Sequence, residues 1–200
     1  MIKIQRKPFL LDNPEFPQTN WRTDESTYPN VYNSYRLTVD SKSAKGHATL
    51  LSIELTKLFK LMGFKKIRFL GDTNIPWLYR DHDYKPVKAA LEFLVENKVA
   101  KTFAGALQLQ VNELPKFLKN LYWLIRGNGI VNYVYFDDEG RNIMASLCQY
   151  GSVHLSTLNE GVDIVFNKVL EGTRFINVSN DDCRDPFSKS KSIKHRKSTY

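Results

Sequence analysis

Apolar residues recur along this chain at two spacings, one helical and one strand-like. Leu51, Leu55, Leu58 and Met62 repeat every three or four positions, with Lys57 and Lys60 on other faces. That period predicts a helix over Lys45 to Met62, with Ser43 as its cap and Gly63 as its stop. Val87, Ala90, Leu91 and Leu94 predict a second helix ending near Asn97. Asp83 suits its N-cap, and Pro86 falls in the first turn, where a missing N–H does no harm. Leu114, Phe117, Leu118, Leu121, Leu124 and Ile125 place a third between Glu113 and Arg126, broken by Gly127-Asn128-Gly129. Val162, Val165, Phe166 and Val169 give a fourth over Glu160 to Leu170.

Between the helices the pattern turns strand-like. Strands are expected over Val31–Val39, Lys65–Leu70, Phe103–Val111, Ile130–Phe136, Ile143–Tyr150, Ser152–Ser156 and Thr173–Val178. Gly151 marks a bend between the fifth and sixth. Asp137-Asp138-Glu139-Gly140 reads as a hairpin turn, with Gly where a positive φ is needed. The stretch from Lys7 to Asn30 contains Pro8, Pro14, Pro17 and Pro29 and reads as an irregular arm. This order predicts an α+β fold, a mixed, largely antiparallel sheet with helices packed mainly on one face. The expected organisation is an irregular N-terminal arm (1–30), a single domain (31–178) and a basic, disordered C-terminal tail (179–200).

Composition narrows the class. Two hundred residues, 42% hydrophobic and 25% charged, suit one globular domain that needs no metal or disulfide staple. Cys148 and Cys183 do not make a disulfide scaffold, and neither belongs to a Cys-x-x-Cys pair, so no metal site or cofactor is expected. No signal-peptide pattern and no apolar run long enough to span a bilayer is seen, which leaves the cytoplasm as the expected compartment and no membrane as partner.

The net charge of +8 is unevenly spread. Residues 188–200 carry five bases and no acid. Residues 36–126 hold 16 bases and 8 acids, whereas 127–187 hold 4 bases and 9 acids. A Ser/Lys-rich tail can neutralise phosphates.

One cluster carries candidate chemistry. Asp72, Arg80, Asp81, His82, Asp83 and Lys85 lie between a strand end and a helix start, a place where a rigid scaffold often holds a site. Asp83-x-Lys85 has the form of a nuclease half-motif, in which a carboxylate binds Mg²⁺ and the lysine supports an attacking water. The plainer account makes Asp83 a helix cap, Lys85 a solvated base and Asp81 a surface partner of Arg80. His154 lies two residues after Ser152 on one strand face. A second histidine there would complete a ligand pair, and without it His154 reads as a half-buried strand histidine. Cys148 reads as a buried, inert thiol. Tyr133 and Tyr135 share one strand face and Val134 and Phe136 the other, so only one pair could be free to stack bases.

The leading expectation is a non-enzymatic binding protein with sequence-independent nucleic-acid affinity. Its contacts would be Lys57, Lys60, Lys65, Lys66 and Arg68, with Lys189, Lys191, Lys194, Arg196 and Lys197 of the tail. A protein-binding module of the inhibitor or immunity type is the first alternative. A metal-dependent phosphodiesterase or nuclease built on Asp72, Asp81, Asp83 and Lys85 is the second.

Overall fold

The computed structural model describes residues 1–20, 25–127, 133–179 and 183–187. It is an α+β fold. Ten strands are described: β1 (Ile2–Ile4), β2 (Gln18–Asn20), β3 (Glu25–Thr27), β4 (Asn33–Thr38), β5 (Lys66–Gly71), β6 (Ala106–Gln110), β7 (Val134–Asp138), β8 (Ile143–Leu147), β9 (Val153–Thr157) and β10 (Ile176–Asn177). Five helices accompany them: α1 (Arg6–Asp12), α2 (Ala44–Leu61), α3 (Lys85–Glu96), α4 (Leu114–Arg126) and α5 (Glu160–Leu170). None is long and apolar enough to cross a membrane.

Eight strands form one sheet in the order β1-β6-β5-β7-β8-β9-β4-β10, and every pairing in it is antiparallel. β2 and β3 form a separate hairpin. The period-two pattern sends alternate side chains to opposite faces. Leu37, Phe69, Leu107, Phe136, Ala145 and Leu155 point to the face covered by α2 to α5 and join the main core. On that layer α4 lies between α2 and α3, and α5 lies beside α2.

The helix expectations hold to within a residue or two, for local reasons. The Ser43 side chain accepts the Gly46 N–H at 3.1 Å and starts α2. Asn159 accepts the Val162 N–H at 2.9 Å and starts α5. The cap of α3 differs: Tyr84, not Asp83, is the N-cap, and the His82 ring takes the Tyr84 N–H at 2.9 Å. The hairpin turn also differs. Asp138 accepts the N–H groups of Gly140, Asn142 and Ile143. This folds the turn so that Arg141, at φ 55°, takes the left-handed position expected for Gly140.

The irregular arm is the larger correction. Residues 2–4 pair with β6 as an edge strand, and α1 lies on the sheet face opposite the other helices. Its Phe9 packs edge-on against Phe16, with centroids 5.0 Å apart, over Leu70, Ala106 and Met144. Four prolines disfavour long regular elements, but they leave short ones free to dock wherever apolar surface is open. The last strand is shorter than expected, two residues rather than six.

Candidate functional site

The second sheet face is divided. The N-terminal segment covers it over β5 to β8, and from β8 to β4 its inward positions are polar. The register lines up Arg36 (β4), His154 (β9) and Ser146 (β8) in one row. Ser34 and Ser156 form the next, with their hydroxyls 3.1 Å apart. At the end of β8 the chain reverses through Cys148 to Ser152. The Cys148 N–H donates to the Ser152 carbonyl and the Gly151 N–H to the Cys148 carbonyl, each at 2.9 Å. Gly151 sits at φ 86°. A Cβ there would lie 2.8 Å from both His47 Nε2 and a Tyr122 ring carbon, so the turn needs glycine for conformation and for space.

This reversal puts the Cys148 side chain on the same face as His154. A third group comes from the other side of β4. After β10 the chain turns back along Arg36. The Val178 N–H donates to the Arg36 carbonyl at 2.8 Å, and the Arg36 guanidinium donates to the Val178 carbonyl. Cys183 then reaches the sheet, its Sγ 3.3 Å from His154 Nε2 and 3.5 Å from Arg36 Nη1. The sulfurs of Cys148 and Cys183 and a ring nitrogen of His154 all lie within 4.8 Å of one another, and all three residues are half-buried.

Beyond Cys183, Asp185 accepts from Arg126 at 2.7 Å, and the Phe187 ring lies 5.5 Å from that of His47. Residues 183–187 therefore run from the edge of β4 to the ends of α2 and α4.

The electrostatics of the two thiols diverge. The hydrogen bond from Cys148 holds the Cys183 thiol well below its ordinary range, against burial and with help from His154 and Arg36. The same bond, then burial, pushes the Cys148 thiol up. A thiolate is both the nucleophile and the metal-binding form of cysteine. Below this cluster His47 is buried, with Nε2 2.8 Å from the Gly151 carbonyl, and burial pushes its pKa down.

The expected catalytic residues are not gathered in this way. Asp72 is buried beside the guanidinium of Arg6, which donates to the carbonyls of Gly71 and Asp72 at 2.8 and 3.0 Å. Asp81, Asp83 and Lys85 are exposed. Among the described residues, the trio at 148, 154 and 183 is the one group of His, Cys, Asp or Glu close enough to share an ion.

The expected nucleic-acid contacts fall into three sets. Lys57, Lys60 and Lys65 are exposed, although Lys57 reaches the Gly172 carbonyl at 2.5 Å. Lys66 pairs with Glu139 at 3.2 Å. Arg68 is turned inward, in a two-pronged ion pair with Asp137, because the register sets the two side by side on the N-terminally covered face. Lys189, Lys191, Lys194, Arg196 and Lys197 lie outside the described residues. Val134 and Phe136 face the main core, Tyr133 is exposed, and Tyr135 packs edge-on against Tyr28 at 6.0 Å.

Sequence reasoning treated Cys148 and His154 singly and gave Cys183 no role. The signal that joins them is register: Cys148 lies two residues beyond Ser146, which pairs with His154, so both side chains fall on one face.

No protein-family model, no curated protein and no solved structure matches this chain.

Proposed function

We propose that the chain is a non-enzymatic binding protein that holds the phosphate backbone of nucleic acid against the outer surface of α3, α4 and α2. The observation that carries this reading is how charge is distributed over the helical layer. These three adjacent helices carry eight basic side chains against three acidic ones, and Glu54, one of the three, is turned inward to accept the Arg174 N–H. The neighbouring α5 adds no net outward charge, since Glu160 and Lys168 are exposed and Asp163 is buried. The five bases of 188–200 add to the basic surface in sequence. Phosphate neutralisation of this kind is sequence-tolerant and steeply salt-dependent.

Fluorescence anisotropy with a labelled duplex tests it. Binding is expected at 50 mM salt and should weaken by at least about tenfold at 200 mM. Reversing Lys57 and Lys60 to Glu, or removing 188–200, should each weaken it further. Absence of binding at 50 mM salt, or binding indifferent to salt, overturns the reading.

A second reading, a protein-binding module, is favoured by Ile53 and Leu61 on α2 and Ile164 and Val165 on α5, all exposed on neighbouring helices. A pull-down that recovers a stoichiometric protein and no nucleic acid would select it.

A further inference from the structure

We infer that Cys148, His154 and Cys183 form a binding site for a zinc-class divalent ion, which staples the segment 183–187 to the sheet. The inference stands apart from the nucleic-acid reading, since it uses none of the basic surface.

The first argument is geometric. In a tetrahedral zinc site the metal lies about 2.3 Å from sulfur and about 2.0–2.1 Å from nitrogen, which separates two sulfurs by about 3.8 Å and a sulfur from a nitrogen by about 3.6 Å. Here Cys183 Sγ and His154 Nε2 are 3.3 Å apart, and no two of the three ligand atoms are more than 4.8 Å apart. Movements of a few tenths of an ångström to about one ångström seat the ion.

The second argument is chemical. Two soft thiolates and an imidazole select zinc over magnesium or calcium, which prefer oxygen. Two thiolates also cancel the charge of the ion.

The third argument is the surroundings. Arg36 aims an N–H at Cys183 Sγ from 3.5 Å, the outer donor that a metal-bound thiolate uses. The guanidinium is itself held by the Val178 carbonyl, so the donor is fixed by backbone from the incoming segment. Cys148 is likewise fixed by the two backbone hydrogen bonds of its turn. Among the described residues no fourth His, Cys, Asp or Glu joins the three, which leaves one tetrahedral position for solvent or an added ligand.

A disulfide between the two cysteines is the competing chemistry. It would need neither His154 nor Arg36. Both side chains nevertheless converge on the same sulfur, from paired positions on the adjacent strands β4 and β9, and that convergence favours the ion.

The test uses the full chain, reduced and stripped of metal. Titration with Zn²⁺, followed by competition with a chromophoric chelator, should give one ion per chain. Co²⁺ should give the intense visible bands of a tetrahedral site and a thiolate-to-cobalt charge-transfer band. The Cys183→Ser and His154→Gln variants should each weaken Zn²⁺ by more than about 100-fold, since losing a ligand costs more than losing an outer partner. Both residues are half-buried, and far-UV circular dichroism establishes that each variant folds. A thiol reagent should react with Cys183 rapidly without zinc and slowly with it.

Three results would overturn the site: no stoichiometric Zn²⁺ binding by the folded, reduced chain; a variant that binds Zn²⁺ as tightly as the unsubstituted chain; or oxidation to a Cys148–Cys183 disulfide at an unchanged rate with zinc in excess.

Discussion

Replacing Arg68 by Met should damage stability rather than ligand binding. Arg68 Nε donates to Asp137 Oδ1 at 2.9 Å, and Nη2 donates to Oδ2. Both residues are buried, at 8% and 2% exposure, and the guanidinium lies over the Phe9 ring at 5.2 Å. Methionine keeps the contact with Phe9 but leaves Asp137 buried without its cation. Removing one partner of such a pair costs about 3–5 kcal/mol, because the other charge is stranded. With a urea m-value of about 2–3 kcal/mol/M, the unfolding midpoint should fall by roughly 1–2 M.

The penalty also carries a pH signature. Burial pushes the Asp137 carboxyl up to about 6, and the pull of Arg68 only partly offsets this. With a folded pKa above the unfolded one, the stability this carboxyl contributes is fully present below about pH 4 and is lost as pH rises through 6. Without Arg68 the carboxyl rises further, so the cost of Arg68→Met should be largest at pH 7.5 and clearly smaller at pH 5. The double variant Arg68→Met, Asp137→Leu should recover most of the loss, since an apolar pair of similar volume is often neutral. A loss below about 1 kcal/mol at pH 7.5, a loss unchanged at pH 5, or a double variant as unstable as the single would each refute the reasoning.

Three further substitutions test the fold. Gly151→Ala should cost about 2–4 kcal/mol by thermal unfolding, because a left-handed backbone and a Cβ 2.8 Å from His47 and Tyr122 both oppose it. His47, held neutral by burial, should make the wild type lose stability as pH falls below about 6.5, and His47→Gln should flatten that slope between pH 5 and 7. Tyr35→Phe should cost about 1–3 kcal/mol by urea unfolding, since its hydroxyl donates to Asp163 Oδ1 at 2.7 Å and accepts from Asn167 at 2.7 Å.

The helices and the sheet class were legible because they rest on local periodicity. Leu51, Leu55 and Leu58 line one side of α2, and Ser43 and Asn159 cap their helices through their own side chains. What escaped depends on distant partners. Arg6 reaches the carbonyl end of β5 from 66 residues away and fills the place where a carboxylate site was expected. Arg68 reads as an exposed strand base until the register brings Asp137 beside it. The thiol–histidine cluster was the least visible. Two of its members sit on a hairpin whose turn could be read from Gly151, but Cys183 arrives from beyond the last strand with no motif to announce it. Segment charge was legible as a count, and the packing of α4 between α2 and α3 is what turns the count into a surface.

The order of the sheet has a consequence for how the chain is made. Its two outermost strands, β1 and β10, are its shortest and come from opposite ends of the described chain. During synthesis β1 must wait for β6, about a hundred residues later, and β4 must wait for β9, more than a hundred residues later. Until then β1 and β4 present unpaired backbone, the template on which chains stick to one another. Such distant pairings also close slowly. Nascent chains should therefore be most vulnerable to association before β9 emerges, and slowing elongation across 143–157 would lengthen that exposure, not shorten it.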